Sequence, residues 1–374
     1  LKTRPEKIHA LTSMRFFAAF YVVLYHTLGQ AFGREIAGTW IERVNALGYI
    51  AVSFFFLLSG YILAIVYLHE GATVRKRSFY AARFARIYPL FLVTLFADIP
   101  YAIAQRASEY GMHKALSKTA VTLGAHLLML QAWIPGIHGI DQPNWSLSVE
   151  TLFYLIFPVV GVVLWRLRGA ALWLSAAGIW LVSQAAVWLI TPHLAITTAK
   201  FHPLFHVGTF ALGILLARVQ TLRSRNLLQR RSIPPAATAA TLVALLLIFI
   251  AAVRWQDQVP LPALNAGLLS PAFAALIWIS ANNDGALSRW LSAPWLVLLG
   301  EASFGLYLIH VPVNHLFEWL HWEHSQPLYP LYLALCIGLS IFSFYCIENP
   351  SRKWLLKRLQ TRPKETMEAA SDAQ

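Results

Sequence analysis

Acidic residues are scarce in this chain: 17 Asp and Glu stand against 30 Lys and Arg in 374 residues, and all four types together make only 13% of it. Soluble domains carry about 25% charged residues, so an ordinary water-solvated domain is excluded. Cysteine is scarcer still. Cys336 and Cys346 are the two present, ten positions apart in one apolar run. On a helix that spacing is about 15 Å, too far for a mutual disulfide. A metal centre is not expected either, because His321 and His324 have ligand-like spacing but no third ligand nearby. No repeat period and no matched pair of broken helices is visible, which weighs against an inverted-repeat transporter. A cleavable signal peptide is not expected, because the first apolar run carries Arg15 and His26 and no small-residue cleavage pattern follows it.

What is abundant is apolar surface. Hydrophobic residues make 57% of the chain, with 14 Trp and 22 Phe. Runs near the roughly 20 residues that span a bilayer recur along almost the whole length. They lie at 11–32, 47–67, 87–104, 119–133, 146–165, 170–190, 203–217, 234–253, 265–282, 294–319 and 328–346. The expected fold is all-α, a polytopic membrane helical bundle over residues 1–350. Residues 351–374 form a basic cytoplasmic tail with a disordered end. The net charge of +13 is spread between the apolar runs, which suits membrane lipids and topology better than nucleic acid.

Eleven crossings would put the basic N-terminus and the basic tail on opposite sides, against the positive-inside rule. Segment 119–133 is the shortest, contains His126 and ends at Pro135-Gly136. It is expected to be re-entrant or interfacial, leaving about ten transmembrane helices and both termini cytoplasmic. The outer side then keeps only Arg34, Arg43, Arg106, Lys114, Lys118, Lys200 and Arg254, which are scattered.

Within this frame, ionisable groups inside spanning segments are functional candidates, because burying them in lipid is expensive. Arg15 and His26 are eleven apart in MRFFAAFYVVLYHTLG. Eleven helical residues make about three turns and rise about 16 Å, so the two side chains share a face at different depths. Arg15 alone would read as a snorkelling anchor, and His26 alone as a structural cross-bond. Together on one face they favour function.

Arg83 and Arg86 in RKRSFYAARFARIYPLF are three apart and read as the start of a helix. Paired guanidiniums match phosphate oxygens, and a helix N-terminus would add donors. Arg75, Lys76 and Arg77 fit lipid head groups. In DQPNWSLSVETLF, Ser146 is the expected N-cap, which places Glu150 at the fourth helical position near the outer surface. There Glu150 suits either hydrogen bonding to a hydroxyl-bearing acceptor or orientation of the histidine. Asp98, His206, Glu301, His310 and Glu348 are further polar groups in apolar surroundings. His310, two before Pro312, reads as a cap or bridge of a kinked helix, and Glu348 as a partner of Arg352. Ser59-Gly60 reads as a small-residue helix contact.

Arg15 with ten residues to His26, FFFLLSGYIL, Arg83-Phe-Ala-Arg86 running into Ile87-Tyr88-Pro89, NWSLSVE ending in Glu150, FGLYLIHVP and IENPSRK occur in that order. In this pattern the chain resembles the acyltransferase-3 family of integral membrane O-acyltransferases. The resemblance implies an enzyme of the bacterial cytoplasmic membrane that takes an acyl group, usually acetyl, from cytoplasmic acyl-CoA. It places the group on a hydroxyl of a glycan or lipid-linked saccharide, for which an exopolysaccharide or lipopolysaccharide sugar is favoured. Succinyl or another short acyl group stays open, as does an oligomer. Acetyl-CoA is then a co-substrate, held by Arg83, Arg86 and Arg15, with no metal. The catalytic set implied is His26, Glu150 and Arg15, His26 acting as general base or as a transient acyl carrier. Some family members add a spanning helix and an esterase-like domain. None follows Cys346, so this chain is expected to act alone or with a separate partner. The rival reading is a proton-coupled transporter or flippase using Arg15, His26 and Glu150 as a path.

Overall fold

The computed structural model describes residues 7–68, 74–137, 140–225, 233–283, 285–322 and 324–360. No strand occurs among them, as expected where lipid cannot satisfy backbone groups and each segment must bond to itself. The helices are α1 (Lys7–Ile36), α2 (Trp40–Ala46), α3 (Ile50–Tyr67), α4 (Lys76–Tyr110), α5 (Met112–Leu127), α6 (Trp145–Trp165), α7 (Gly169–Ile190) and α8 (Ile196–Phe201). They continue with α9 (Val207–Arg225), α10 (Pro235–Trp255), α11 (Leu261–Asn265), α12 (Ser270–Asn282), α13 (Ala286–Leu291), α14 (Pro294–Trp319), α15 (Tyr329–Ser343) and α16 (Asn349–Gln360). A π-helical turn over Phe344–Glu348 joins the last two.

Ten helical stretches among the described residues are long and apolar enough to cross a membrane. Segment 119–133 is not one of them. After Gly111, whose φ of 78° turns the chain, α5 folds back along α4. Arg106 donates to Thr119 Oγ1 at 2.8 Å and to Thr122 Oγ1 at 3.3 Å, and the Tyr88 hydroxyl donates to the Leu127 carbonyl. The chain then returns to Asp141, whose backbone N–H donates to Asp98 Oδ2 of α4 at 2.7 Å. Asp141 has a left-handed φ of 46° and accepts from Asn144 Nδ2 at 2.8 Å, so side chains on both flanks hold this tight entry to α6.

Helix α1 and α14 run side by side in the same direction: Thr12 lies against Gly300, His26 against His310, and Gln30 against Glu318. A Cβ on Gly300 would stand 2.0 Å from the Thr12 carbonyl oxygen, so only glycine lets the two backbones approach this closely. Helix α4 follows the same direction, with Asp98 at His315 and Tyr101 at Glu318. Helices α3 and α9 cross where Gly60 meets Phe210 O and Gly213 meets Leu57 O. This is the close small-residue approach that membrane helices use in place of a hydrophobic driving force. Beside it, Phe153 stacks on Phe210 with ring centroids at 4.4 Å, and Phe56 meets Phe153 edge-on at 5.1 Å.

Two boundary expectations are corrected. Ser146 is not the N-cap of α6. The helix begins at Trp145, and Ser146 Oγ instead donates to the Pro143 carbonyl and pairs with the Tyr307 hydroxyl at 2.8 Å. Helix α4 starts at Lys76, so Arg83 and Arg86 lie two to three turns inside it. The free N–H groups of its first turn are therefore not available to them. Residues 361–374, which include the expected tail end, lie outside the described residues.

Candidate active site

The seam between α1 and α14 brings two histidines together that are 284 residues apart. His26 Nδ1 is 3.0 Å from His310 Nε2, with the rings stacked at 5.2 Å between centroids and 19° between planes. The other nitrogen, His310 Nδ1, lies 2.8 Å from the Tyr307 carbonyl oxygen. A carbonyl only accepts, so His310 carries its proton on Nδ1 and turns a lone pair on Nε2 toward His26. His26 turns Nδ1 to that lone pair and also has the Val22 backbone carbonyl as a hydrogen-bond acceptor, so its proton is assigned to Nδ1. Its own Nε2 is left with the free lone pair, the arrangement a base or nucleophile needs. His310 is fully buried while His26 is half-buried, so the free nitrogen belongs to the reachable ring. Tyr332 OH donates to the His310 carbonyl at 2.9 Å and ties α15 to this turn of α14, two residues before Pro312. Lys200, from α8, stands within electrostatic reach of His26.

Toward the N-terminal end of α1, the same bundle gathers three arginines and two carboxylates. Arg15 stands within electrostatic reach of Arg86, Glu150, Glu348 and Tyr154. Arg83 donates to Tyr67 OH at 3.3 Å and lies over the Tyr67 and Tyr154 rings at 5.6 and 5.8 Å. Its Nε is buried without a partner. The Tyr154 hydroxyl donates to Glu150 Oε1, and Ser59 Oγ reaches the same oxygen at 3.4 Å. Glu348, on the π-helical turn, accepts from Ser343 Oγ at 3.4 Å and faces Arg86 and Arg15.

Thus Arg15, Arg83, Arg86 and Glu150 come together, and His26 stands apart from them, roughly three turns up α1. Glu150 is the displaced member of the sequence-derived set. It is the sixth residue of α6, not the fourth, and lies among the arginines and not beside the histidine. Glu348 likewise joins this cluster. His310 is the residue that sequence reasoning passed over as a kink device; its signals were an ionisable group inside a spanning run and its place in FGLYLIHVP.

The sequence profile of the acyltransferase domain matches residues 8–349. The chain belongs to the acyltransferase-3 family. Acyltransferase MdmB of Streptomyces mycarofaciens is 32% identical over 332 residues, 83% of this chain and 80% of the relative. Nodulation protein 10 of Rhizobium leguminosarum bv. viciae is 24% identical over 91% of this chain and 92% of its own length. O-acetyltransferase OatA of Staphylococcus aureus is 23% identical over 98% of this chain, which spans 60% of that longer protein. No solved structure matches. Family membership and the ten candidate spans together make this a multi-pass membrane O-acyltransferase. The transporter reading gains nothing from either.

Proposed function

We propose that the protein moves an acetyl or other short acyl group from acyl-CoA to a hydroxyl of a surface glycan, such as an exopolysaccharide or lipopolysaccharide sugar. In this reading it sits in the bacterial cytoplasmic membrane with the arginine end facing the cytoplasm. The observation that carries the reading is the free Nε2 of His26, set by the chain from Tyr307 through His310. As the acceptor oxygen attacks the thioester carbonyl, His26 Nε2 takes the hydroxyl proton. Collapse of the tetrahedral adduct breaks the carbon–sulfur bond, and the same nitrogen returns the proton to the departing thiolate. Atoms and charge balance without a metal or a second base.

Arg83, Arg86 and Arg15 suit the phosphates of the donor. Arg83 supports this with its buried, unpartnered Nε, a donor left for a ligand. Glu150 and Tyr154 hold the guanidiniums in place between turnovers. The roughly 16 Å between Arg15 and His26 along α1 is a span that an extended pantetheine arm covers. The printed name of OatA, an O-acetyltransferase, supports acetyl as the group.

The test is transfer of label from radiolabelled acetyl-CoA into membrane glycan by vesicles carrying matched amounts of each protein. His26→Ala is expected to lose about 10²-fold or more of the rate. Arg83→Ala and Arg86→Ala are expected to weaken acetyl-CoA binding about tenfold. Transfer that survives His26→Ala would move the chemistry elsewhere, and unchanged donor affinity in both arginine variants would sink the donor assignment.

A further inference from the structure

Beyond His26 and His310, away from the arginines, the same seam continues into a second polar cluster that the acyl-transfer chemistry does not use. Gln30 is one turn past His26 on α1. Asn314 and Glu318 are one and two turns past His310 on α14, so all three face the seam. Glu318 Oε1 accepts from Gln30 Nε2 at 3.2 Å and from Asn314 Nδ2 at 2.8 Å, and Oε2 accepts from the Tyr101 hydroxyl. The Tyr101 ring stacks on His315 at 3.6 Å with 6° between planes. His315 Nδ1 is in turn held by buried Asp98 at 2.5 Å. Trp319 completes the group, 6.5 Å from Tyr101 between ring centroids and 53% exposed.

Two features leave acceptor capacity for a ligand. Gln30 Oε1 is buried with no donor, and buried amide oxygens are ordinarily satisfied. Glu318 has three donors, two on Oε1 and one on Oε2, while a carboxylate offers about four lone-pair sites. Both features call for hydroxyl donors, and the positions next to them are an aromatic stack and a half-open indole. Planar amide and carboxylate groups paired with an aromatic face match a pyranose ring, which offers adjacent hydroxyls at its edge and C–H groups on its face. An anion is disfavoured by Glu318, and a purely apolar ligand would leave Gln30 unsatisfied.

We infer that Gln30, Tyr101, Asn314, Glu318 and Trp319 form a subsite for an uncharged sugar ring, which delivers a hydroxyl to His26 one helical turn away. The inference rests on the acyltransferase reading for its role in turnover, but sugar binding as such does not depend on it. Acidic sugars are excluded from this position by the same carboxylate that grips the neutral ones.

The experiment uses the full chain in lipid nanodiscs. Methyl glucoside, mannoside, galactoside, N-acetylglucosaminide and rhamnoside are titrated one at a time, with methyl glucuronide as the anionic probe. Binding is followed by saturation-transfer NMR, and acetyl-CoA affinity is measured in parallel. The expected result is saturable binding of at least one uncharged glycoside, with the glucuronide silent. Glu318→Gln should weaken that binding about tenfold, and Trp319→Ala severalfold. Trp319 is an exposed side chain, so this second variant tests the site even where Glu318→Gln misfolds. Acetyl-CoA affinity should stay within about twofold of wild type in both, since the donor cluster lies at the other end of the seam. No binding of any uncharged glycoside by wild type, or equal binding by wild type and Trp319→Ala, overturns the subsite. Sugar binding with the expected variant pattern, in a protein that neither binds acetyl-CoA nor transfers acyl groups, leaves the subsite standing and removes the donor reading.

Discussion

His310 shows how a single buried side chain can set the chemistry of another. Its Nδ1–H is committed to the Tyr307 carbonyl, and the lone pair this leaves on Nε2 favours the proton of His26 on Nδ1. His310→Gln keeps a side-chain acceptor oxygen within reach of His26 Nδ1–H, whereas His310→Phe leaves that ring only the Val22 carbonyl. We expect kcat to fall about 10²-fold in the phenylalanine variant and far less in the glutamine variant, with KM for acetyl-CoA unchanged in both. Equal kcat losses in the two variants would mean that packing, and not the hydrogen bond, is what His310 supplies.

Asp141, just before the first turn of α6, makes a different prediction at the same scale. Burial first, and the neighbouring Asp98 second, push its carboxyl well above the ordinary carboxylate range. The folded protein therefore keeps a proton that the unfolded chain releases near pH 4. The resulting stabilisation is complete below that pH and is lost as pH rises toward the folded value. Asp141→Asn retains an acceptor for Asn144 Nδ2 and has no proton to lose. Relative to wild type, its melting temperature should rise progressively in thermal scans as pH increases above the ordinary carboxylate range. A pH-independent difference would show that the carboxyl ionises freely in the fold.

At the scale of elements, the crossing of α3 and α9 is fixed by backbone proximity. A Cβ on Gly60 would lie 2.1 Å from the Phe210 carbonyl oxygen, a backbone atom that cannot move aside. Gly60→Val should separate the two helices and destabilise the protein by about 3 kcal/mol or more, measured as loss of the monodisperse species on detergent chromatography. A variant as stable as wild type would mean that the crossing relaxes freely. Helix α5 follows a different logic. At 16 residues it is about 24 Å long, shorter than a 30 Å hydrocarbon core, and Arg106 fastens it to α4. Topology reporters inserted after Gly111 and after Gly136 should therefore report the same side of the membrane. Opposite sides would make 112–136 a true crossing and change the count of spans.

At the scale of the whole molecule, the polar groups of the bundle lie along one seam. Arginines and carboxylates occupy one end, the histidine pair the middle, and the Gln30–Glu318 cluster the other end. Parallel packing of α1 and α14 produces this order, because each successive turn of one helix meets the corresponding turn of the other. A donor held at one end and an acceptor at the other can then meet at a single nitrogen. Lipid-facing helices such as α7 and α10 contribute few buried residues. They close the bundle without entering the seam.

Composition and apolar run length were enough to read the helical class and the ten candidate spans, because both are local consequences of backbone burial in lipid, and the balance of basic residues singled out 119–133. The spacing of Arg15 and His26 was also legible, since helical periodicity alone fixes their shared face. Other features depended on which helix lies against which. Glu150 looked like an outer-surface group because its depth was read from an assumed cap at Ser146, and only the packing of α6 against α3 and α4 places it with Arg83. The His26–His310 pair spans 284 residues, and no local pattern carries that information. The sequence by itself determined that the chain is a helical membrane protein with ionisable groups on the first helix. The tertiary structure decided which groups meet, because contact between distant helices is set by close packing at a few small residues such as Gly60, Gly213 and Gly300, and not by the period of the chain.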